Sequence, residues 1–148
     1  MAVTKSIDIN AAPERVWQEF ADPSLWSSWM GRYERTEPLT GTPIQQGGQV
    51  RMYWTERSRD RDYGSRTEER EATWEVPEVV QGSMMRMGQP PNFTTWRIEP
   101  IPGGTRVSLE AELNSFAARL FKPVVKLFTG AQGSIDLGQL KKKCEQPA

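Results

Sequence analysis

Apolar and polar residues alternate from the start of the chain, with Val3, Ile7 and Ile9 set against Thr4, Ser6, Asp8 and Asn10 and an interruption at Lys5. A period of two predicts a strand with one buried face. Pro13 is well tolerated in the first turn of a helix and Asn10 stands just upstream as a capping residue, which predicts a short helix over about Pro13 to Phe20. Asp22-Pro23-Ser24 repeats the punctuation and opens a second helical turn carrying Leu25 and Trp26. Strand character returns after Trp29, first as a polar strand over Met30 to Pro38 whose inward face the pattern leaves open. A turn at Gly41-Thr42-Pro43 follows, and then Val50, Met52 and Trp54 alternate with Arg51, Tyr53 and Thr55.

The run from Glu56 to Glu71 holds 11 charged residues of 16 and nothing apolar except Tyr63. That composition predicts a solvated hairpin tip or loop, and its near balance of five Arg with six acids argues against a phosphate site. Four more strands are expected around Ala72, Trp74 and Val76, over Ser83 to Met87, over Phe93 to Glu99 and over Thr105 to Leu113. The inward face of Ser83 to Met87 is again open. Turn chemistry at Pro77-Glu78, Gln89-Pro90-Pro91-Asn92 and Pro100-Ile101-Pro102-Gly103-Gly104 joins them into an antiparallel meander. Beyond Leu113 the period changes. Phe116, Leu120, Val124, Leu127, Phe128, Ala131 and Ile135 fall at spacings of three and four, which predicts an amphipathic helix over Ser115 to Lys143. Pro123 should kink that helix or split off its first turn, and Gly130, Gly133 and Gly138 should weaken it. No repeat or linker interrupts the series, so one domain over residues 1–148 is expected.

Composition narrows the chemistry. The chain has no His, which removes Ser-His-Asp and Cys-His nucleophile systems and His-ligated zinc. Its one Cys, Cys144, cannot form an internal disulfide or a thiolate cluster, so no metal site and a reducing, cytoplasmic setting are expected. With 19 basic and 19 acidic residues there is no global field to attract nucleic acid or an anionic membrane. The first residues lack a continuous apolar run, so neither a signal peptide nor a membrane span is expected there.

Ala12-Pro13-Glu14-Arg15-Val16-Trp17, followed by Ala21-Asp22-Pro23 and Trp26-Ser27-Ser28-Trp29, resembles the opening motif of the START-like superfamily, also called Bet v 1-like or SRPBCC, which includes polyketide cyclase-like proteins. Ile98-Glu99-Pro100, Gly103-Gly104-Thr105-Arg106-Val107 and the closing Leu140-Lys141-Lys142-Lys143-Cys144-Glu145 extend the resemblance over nearly the whole chain. It implies an α+β helix-grip fold, in which a curved antiparallel sheet of about seven strands wraps a long C-terminal helix, with two short helices after strand one. It also implies a cavity between sheet and helix. Motifs of this kind speak for the fold rather than for a function, because the superfold hosts binders, carriers and enzymes.

If the apolar alternation marks the inward face, the sheet lines that cavity with Val50, Met52, Trp54, Ala72, Trp74, Val76, Trp96, Ile98, Val107, Leu109 and Ala111, with Met85 beside them. The helix then adds Phe116, Leu120, Val124, Leu127 and Phe128. Such a lining suits a flat or lipid-like apolar ligand, and its plain alternative is core packing. Met84, Met85 and Met87 read chiefly as core filling. Trp26 and Trp29 read as cement between the short helices and the sheet. For catalysis without His, the weak candidates are Tyr53, Glu75, Arg86 and Arg97, with Tyr33 beside them. Tyr53, Glu75 and Arg97 fall on the polar parity of their strands, pointing to solvent unless a bulge shifts the register. Three functions compete: binding or transport of a hydrophobic small molecule (lipid, polyketide or aromatic), a cyclase- or dehydratase-like enzyme, and a partner-binding module resembling Hsp90-activator-type members. No cofactor, no nucleic-acid partner and no integral membrane association are expected.

Overall fold

The computed structural model describes residues 2–60, 64–114 and 120–146. Strands β1 (Ala2–Ile9), β2 (Arg35–Pro38), β3 (Gly48–Asp60), β4 (Gly64–Val80), β5 (Met84–Gln89), β6 (Asn92–Ile101) and β7 (Gly104–Glu112) form one sheet in the order β1-β7-β6-β5-β4-β3-β2. Every neighbouring pair is antiparallel. Helix α1 (Pro13–Ala21) and a 3-10 helix (Pro23–Ser28) carry the chain from one sheet edge to the other, and α2 (Lys122–Glu145) packs on the inner face. The α+β helix-grip architecture is therefore present, with an unclosed curved sheet.

Local chemistry accounts for most boundaries. Pro13 begins α1, but Ala12 is the N-cap and gives no side-chain hydrogen bond. The expected Asn10 cap is not made; the Asn10 backbone N–H donates instead to Glu145 Oε1 at 2.8 Å, tying the start of the chain to the end of α2. Asp22 does cap the 3-10 helix, its Oδ1 accepting from the Ser24 N–H at 3.0 Å. The polar strand expected over Met30 to Pro38 is shorter, beginning at Arg35, and its inward residue Thr36 donates to the Pro23 carbonyl at 2.5 Å. Pro77 does not make a turn. It lies inside β4, where the register with β5 shifts between Glu75 and Glu78, and a bulge accommodates a residue without an N–H to donate. The turn falls at residues 81–83, where Gly82 takes a φ of 82°.

Of the two readings of the charged run, hairpin tip or loop, the hairpin holds, and its ladder is long. Glu56 pairs with Glu68 and Arg57 with Thr67, so β3 and β4 continue as a two-stranded arm beyond the body of the sheet. Its described side chains from Glu56 outward are largely exposed, and the ion pairs of Arg70 with Glu56 and Glu68, at 3.5 and 3.0 Å, add little stability in water. Residues 61–63 at its tip lie outside the described residues.

The inward parity of the strands holds. Val50, Met52, Val76, Trp96, Ile98, Val107, Leu109 and Ala111 are buried. Met85 and Met87 are the inward residues of β5 and fill the core beside Met52. Trp26 and Trp29 are fully buried; the Trp26 indole N–H donates to the Phe20 carbonyl at 3.0 Å, and Trp29 meets Trp96 edge-on at 5.3 Å.

The helix departs most from expectation. Leu120 is helical, Phe121 is a turn and α2 runs from Lys122 with Pro123 in its first turn, where a missing N–H costs nothing, so the chain breaks just ahead of Pro123 as expected; the expected start near Ser115 lies outside the described residues together with Phe116. Leu120, Val124, Leu127 and Ile135 are exposed instead of facing the sheet, and Phe128, also largely exposed, only borders the hollow between helix and sheet. The face turned inward carries Gly130, Gly133, Leu137, Leu140 and Cys144. Gly130 and Gly133 strengthen this contact rather than weaken it, because a Cβ on Gly133 would stand 3.2 Å from the Leu109 side chain and one on Gly130 3.2 Å from Lys5 Cε. At the far end Glu19 of α1, 3% exposed, pairs with Lys143 of α2 at 2.6 Å and with Arg15 at 2.7 Å.

Candidate functional site

Where α2 rises from the sheet beyond the Gly133 contact, a pocket of about 450 Å³ remains. The sheet supplies its floor with Trp74, Thr94, Trp96, Leu109 and Ala111; α2 supplies Phe128, Thr129, Gln132, Gly133 and Asp136; the turn before β2 closes it with Met30, Arg32 and Tyr33. Aromatic packing fixes the walls. Trp96 is wedged against Phe20 at 5.5 Å and Trp29 at 5.3 Å, and Tyr33 stands edge-on to Trp74 at 5.4 Å and to Trp54 at 6.0 Å. Rings held on several sides present a flat, pre-formed apolar surface.

One end of the pocket is polar. Asp136 accepts from Gln132 Nε2 at 2.9 Å, an i, i+4 pair on α2, and from the backbone N–H of Gly31. It thus fastens the helix to the turn that carries Arg32 and Tyr33. Burial pushes the Asp136 carboxyl up to about 6, against the lowering effect of those two hydrogen bonds. The Tyr33 hydroxyl is also raised, mainly by burial, with Arg32 opposing and Asp136 adding to the shift. The guanidinium of Arg32 lies over both the Tyr33 and the Trp54 rings, at 5.9 and 5.8 Å.

A raised carboxyl has a sign in stability. Between about pH 4 and pH 6 the folded state holds a proton on Asp136 that the unfolded chain has released, so its contribution to stability is full below pH 4 and declines as pH rises to 6. Asp136→Asn should flatten that part of the stability profile, removing a slope worth about 2–3 kcal/mol across the window. Urea unfolding at several pH values measures it, and an unchanged slope in the variant would assign the effect elsewhere.

The residues singled out from sequence divide sharply. Trp74, Trp96, Leu109 and Phe128 line the pocket. Met52, Val76, Met85 and Ile98 are buried core that the pocket does not reach. Trp54 stands behind Tyr33, Val124 is exposed on α2 and Leu120 is exposed just ahead of it. None of Tyr53, Glu75, Arg86 and Arg97 lies on the pocket. Tyr53 packs under the Arg35 guanidinium at 3.6 Å, Glu75 and Arg97 are exposed, and Arg86 makes a two-pronged pair with Glu112 at 3.0 Å while covering Phe93. Tyr33 alone of the titratable candidates enters the site. Asp136, Gln132, Arg32, Thr94 and Thr129 were not singled out; the available signal was Gln132 and Asp136 following Phe128 at i+4 and i+8 on one flank of the helix. Among the described residues no cluster of three His, Cys, Asp or Glu is placed to hold a metal ion, and no helix is long and apolar enough to cross a membrane. A second hollow of about 620 Å³, more open to solvent, lies between β1 and the first turns of α2 around Val3, Lys5, Pro123 and Leu127.

Residues 1–145 match the family described as polyketide cyclase / dehydrase and lipid transport. None of the curated proteins matches the chain in sequence. Among solved structures, SSP2350 from Staphylococcus saprophyticus superposes with a TM-score of 0.71 at 15% identity, covering 99% of this chain and 93% of that one. CV1439 from Chromobacterium violaceum gives 0.67 at 22% identity over 99% of each chain. DynU16, a putative protein in the dynemicin biosynthetic locus, gives 0.65 at 13% identity, covering 98% of this chain and 47% of its own. At these identities the likeness is one of fold.

Proposed function

The chain belongs to the polyketide cyclase / dehydrase and lipid transport family, and from that premise we propose that it binds an apolar small molecule in the pocket between α2 and the sheet. The observation that carries this reading is the wall formed by Trp74, Trp96 and Leu109, large apolar side chains braced by their neighbours, beside which about 450 Å³ of space between sheet and helix stays unfilled. A well-packed core closes such space, because an apolar void forfeits dispersion contacts. The volume of about 450 Å³ falls in the usual range of small-molecule sites, and flat rings favour a ligand with a planar or ring-bearing body. The location of the DynU16 gene in a biosynthetic locus is in keeping with a small-molecule ligand.

A second reading, an enzyme of the cyclase or dehydratase kind, is favoured by one observation: Asp136 and Tyr33 bring two proton-bearing groups into the same pocket. The two readings share the site and differ in what Asp136→Asn does. A carrier has no turnover to lose, whereas an enzyme loses turnover beyond what any change in ligand affinity accounts for.

The test fills the pocket without touching its polar end. Ala111→Phe places a ring where a ligand would lie, so an environment-sensitive apolar dye that binds the wild type should bind the folded variant at least about tenfold more weakly. Equal binding by the two proteins, with the variant confirmed as folded by its circular dichroism, would remove this pocket as the site.

A further inference from the structure

Within that reading of the pocket as a small-molecule site, Asp136 restricts the class of ligand. Its carboxylate has two hydrogen-bond donors, Gln132 and the Gly31 N–H, and no cationic side chain pairs with it among the described residues. Two donors leave part of its acceptor capacity free, since a carboxylate has room for about four. Everything else around it is aromatic, apolar or neutral, except Arg32 at the exposed rim, which is held over Tyr33 and Trp54 and acts on the Tyr33 hydroxyl rather than on Asp136. A carboxylate withdrawn from water needs a countercharge or a proton. The rings of Tyr33, Trp74 and Trp96 turn toward the same space surfaces that attract cations as well as apolar groups.

We infer that the ligand of this pocket is an organic cation, an amine protonated at neutral pH whose ammonium group sits on Asp136 and whose ring-bearing body lies against Trp74, Trp96 and Leu109. In the empty pocket a proton takes the place of that cation, which is the physical sense of a carboxyl titrating near 6. Asp136, Arg32 and Tyr33 are the ionisable groups lining the pocket; burial raises both the Asp136 carboxyl, to about 6, and the Tyr33 hydroxyl.

Three probes of one shape separate the outcomes: naphthylethylammonium, naphthylethanol and naphthylacetate, titrated calorimetrically into the wild type and Asp136→Asn at about pH 7.5 and about pH 5. The ammonium should bind the wild type about tenfold or more tightly than the alcohol at the higher pH, and that preference should shrink toward parity at the lower pH and in the variant. Asn keeps an acceptor for the Gly31 N–H, and the pH dependence in the wild type stands as evidence even if the variant folds poorly. Binding of the alcohol as tightly as the ammonium would overturn the cation inference while leaving a hydrophobic pocket. Tightest binding of the carboxylate would overturn it in favour of Arg32. Failure of all three to bind would overturn the small-molecule site itself, and the cation inference with it.

Discussion

Replacing Trp96 by Ala should lower the free energy of unfolding by about 3–5 kcal/mol, the range for deleting a large buried aromatic. The indole is only 4% exposed and contacts the Phe20 and Trp29 rings at 5.5 and 5.3 Å, so its loss unseats the wedge that joins α1 and the end of the 3-10 helix to the sheet. Trp96 also lines the pocket, and apolar-probe affinity should fall as well. Stability and affinity are therefore measured on the same preparation, below the onset of unfolding. Trp96→Phe should retain much of both, because a smaller ring still meets Phe20 and Trp29. A loss below about 1 kcal/mol for the alanine variant would mean that this aromatic cluster does not anchor the fold.

The double variant Arg15→Met, Lys143→Met should cost about 3–5 kcal/mol, because it leaves Glu19 buried among apolar neighbours with neither cation. Glu19 is 3% exposed and its two oxygens are met at 2.7 and 2.6 Å, one from its own helix and one from α2. For a chain of this size the loss corresponds to a fall in Tm of roughly 10 °C. Either single change should cost less, since one cation remains. Adding Glu19→Leu to the double variant should restore most of the stability, because an apolar side chain needs no partner there. A double variant as stable as the wild type would show that Glu19 finds water or a proton instead.

The sheet was legible because burial on one face writes itself into the sequence at a period of two. Val50, Met52 and Val76, then Trp96, Ile98, Val107 and Leu109, are inward as the alternation requires. Pro77 misled because a proline reads as a turn, whereas a bulge lets it stand within a strand. The helix misled for a different reason. Hydropathy marks Leu120, Val124, Leu127, Phe128 and Ile135 as the buried stripe, but close approach to β1 and β7 demands small residues, and Gly130 and Gly133 occupy that face. The stripe then continues through Leu137, Leu140 and Cys144.

That rotation of the helix also hid the site. Gln132 and Asp136 follow Phe128 at i+4 and i+8, on the flank between the apolar stripe and the glycine face, and the packing of the glycine face on the sheet brings that flank to the pocket. The half of the site contributed by the sheet, Trp74, Trp96 and Leu109, was legible from parity alone. The Arg32 and Tyr33 turn was harder to place, because the strand expected from Met30 begins only at Arg35. The catalytic candidates Tyr53, Glu75 and Arg97 stand off the pocket; Glu75 and Arg97 are exposed as their polar parity requires, whereas Tyr53, expected to point to solvent, is buried beneath the Arg35 guanidinium.

The most direct measurement is a map of amide and indole chemical shifts in labelled protein as an apolar ring-bearing probe is added. The account predicts that the largest changes fall on the indoles of Trp74 and Trp96 and on the amides of Tyr33, Leu109, Gly133 and Asp136, which come from five separate segments and meet in the pocket. Changes confined to the hollow by Val3 and Leu127, or to the exposed Leu120, Phe121 and Val124 at the start of α2 and just ahead of it, would contradict it and move the site outside the grip of helix and sheet.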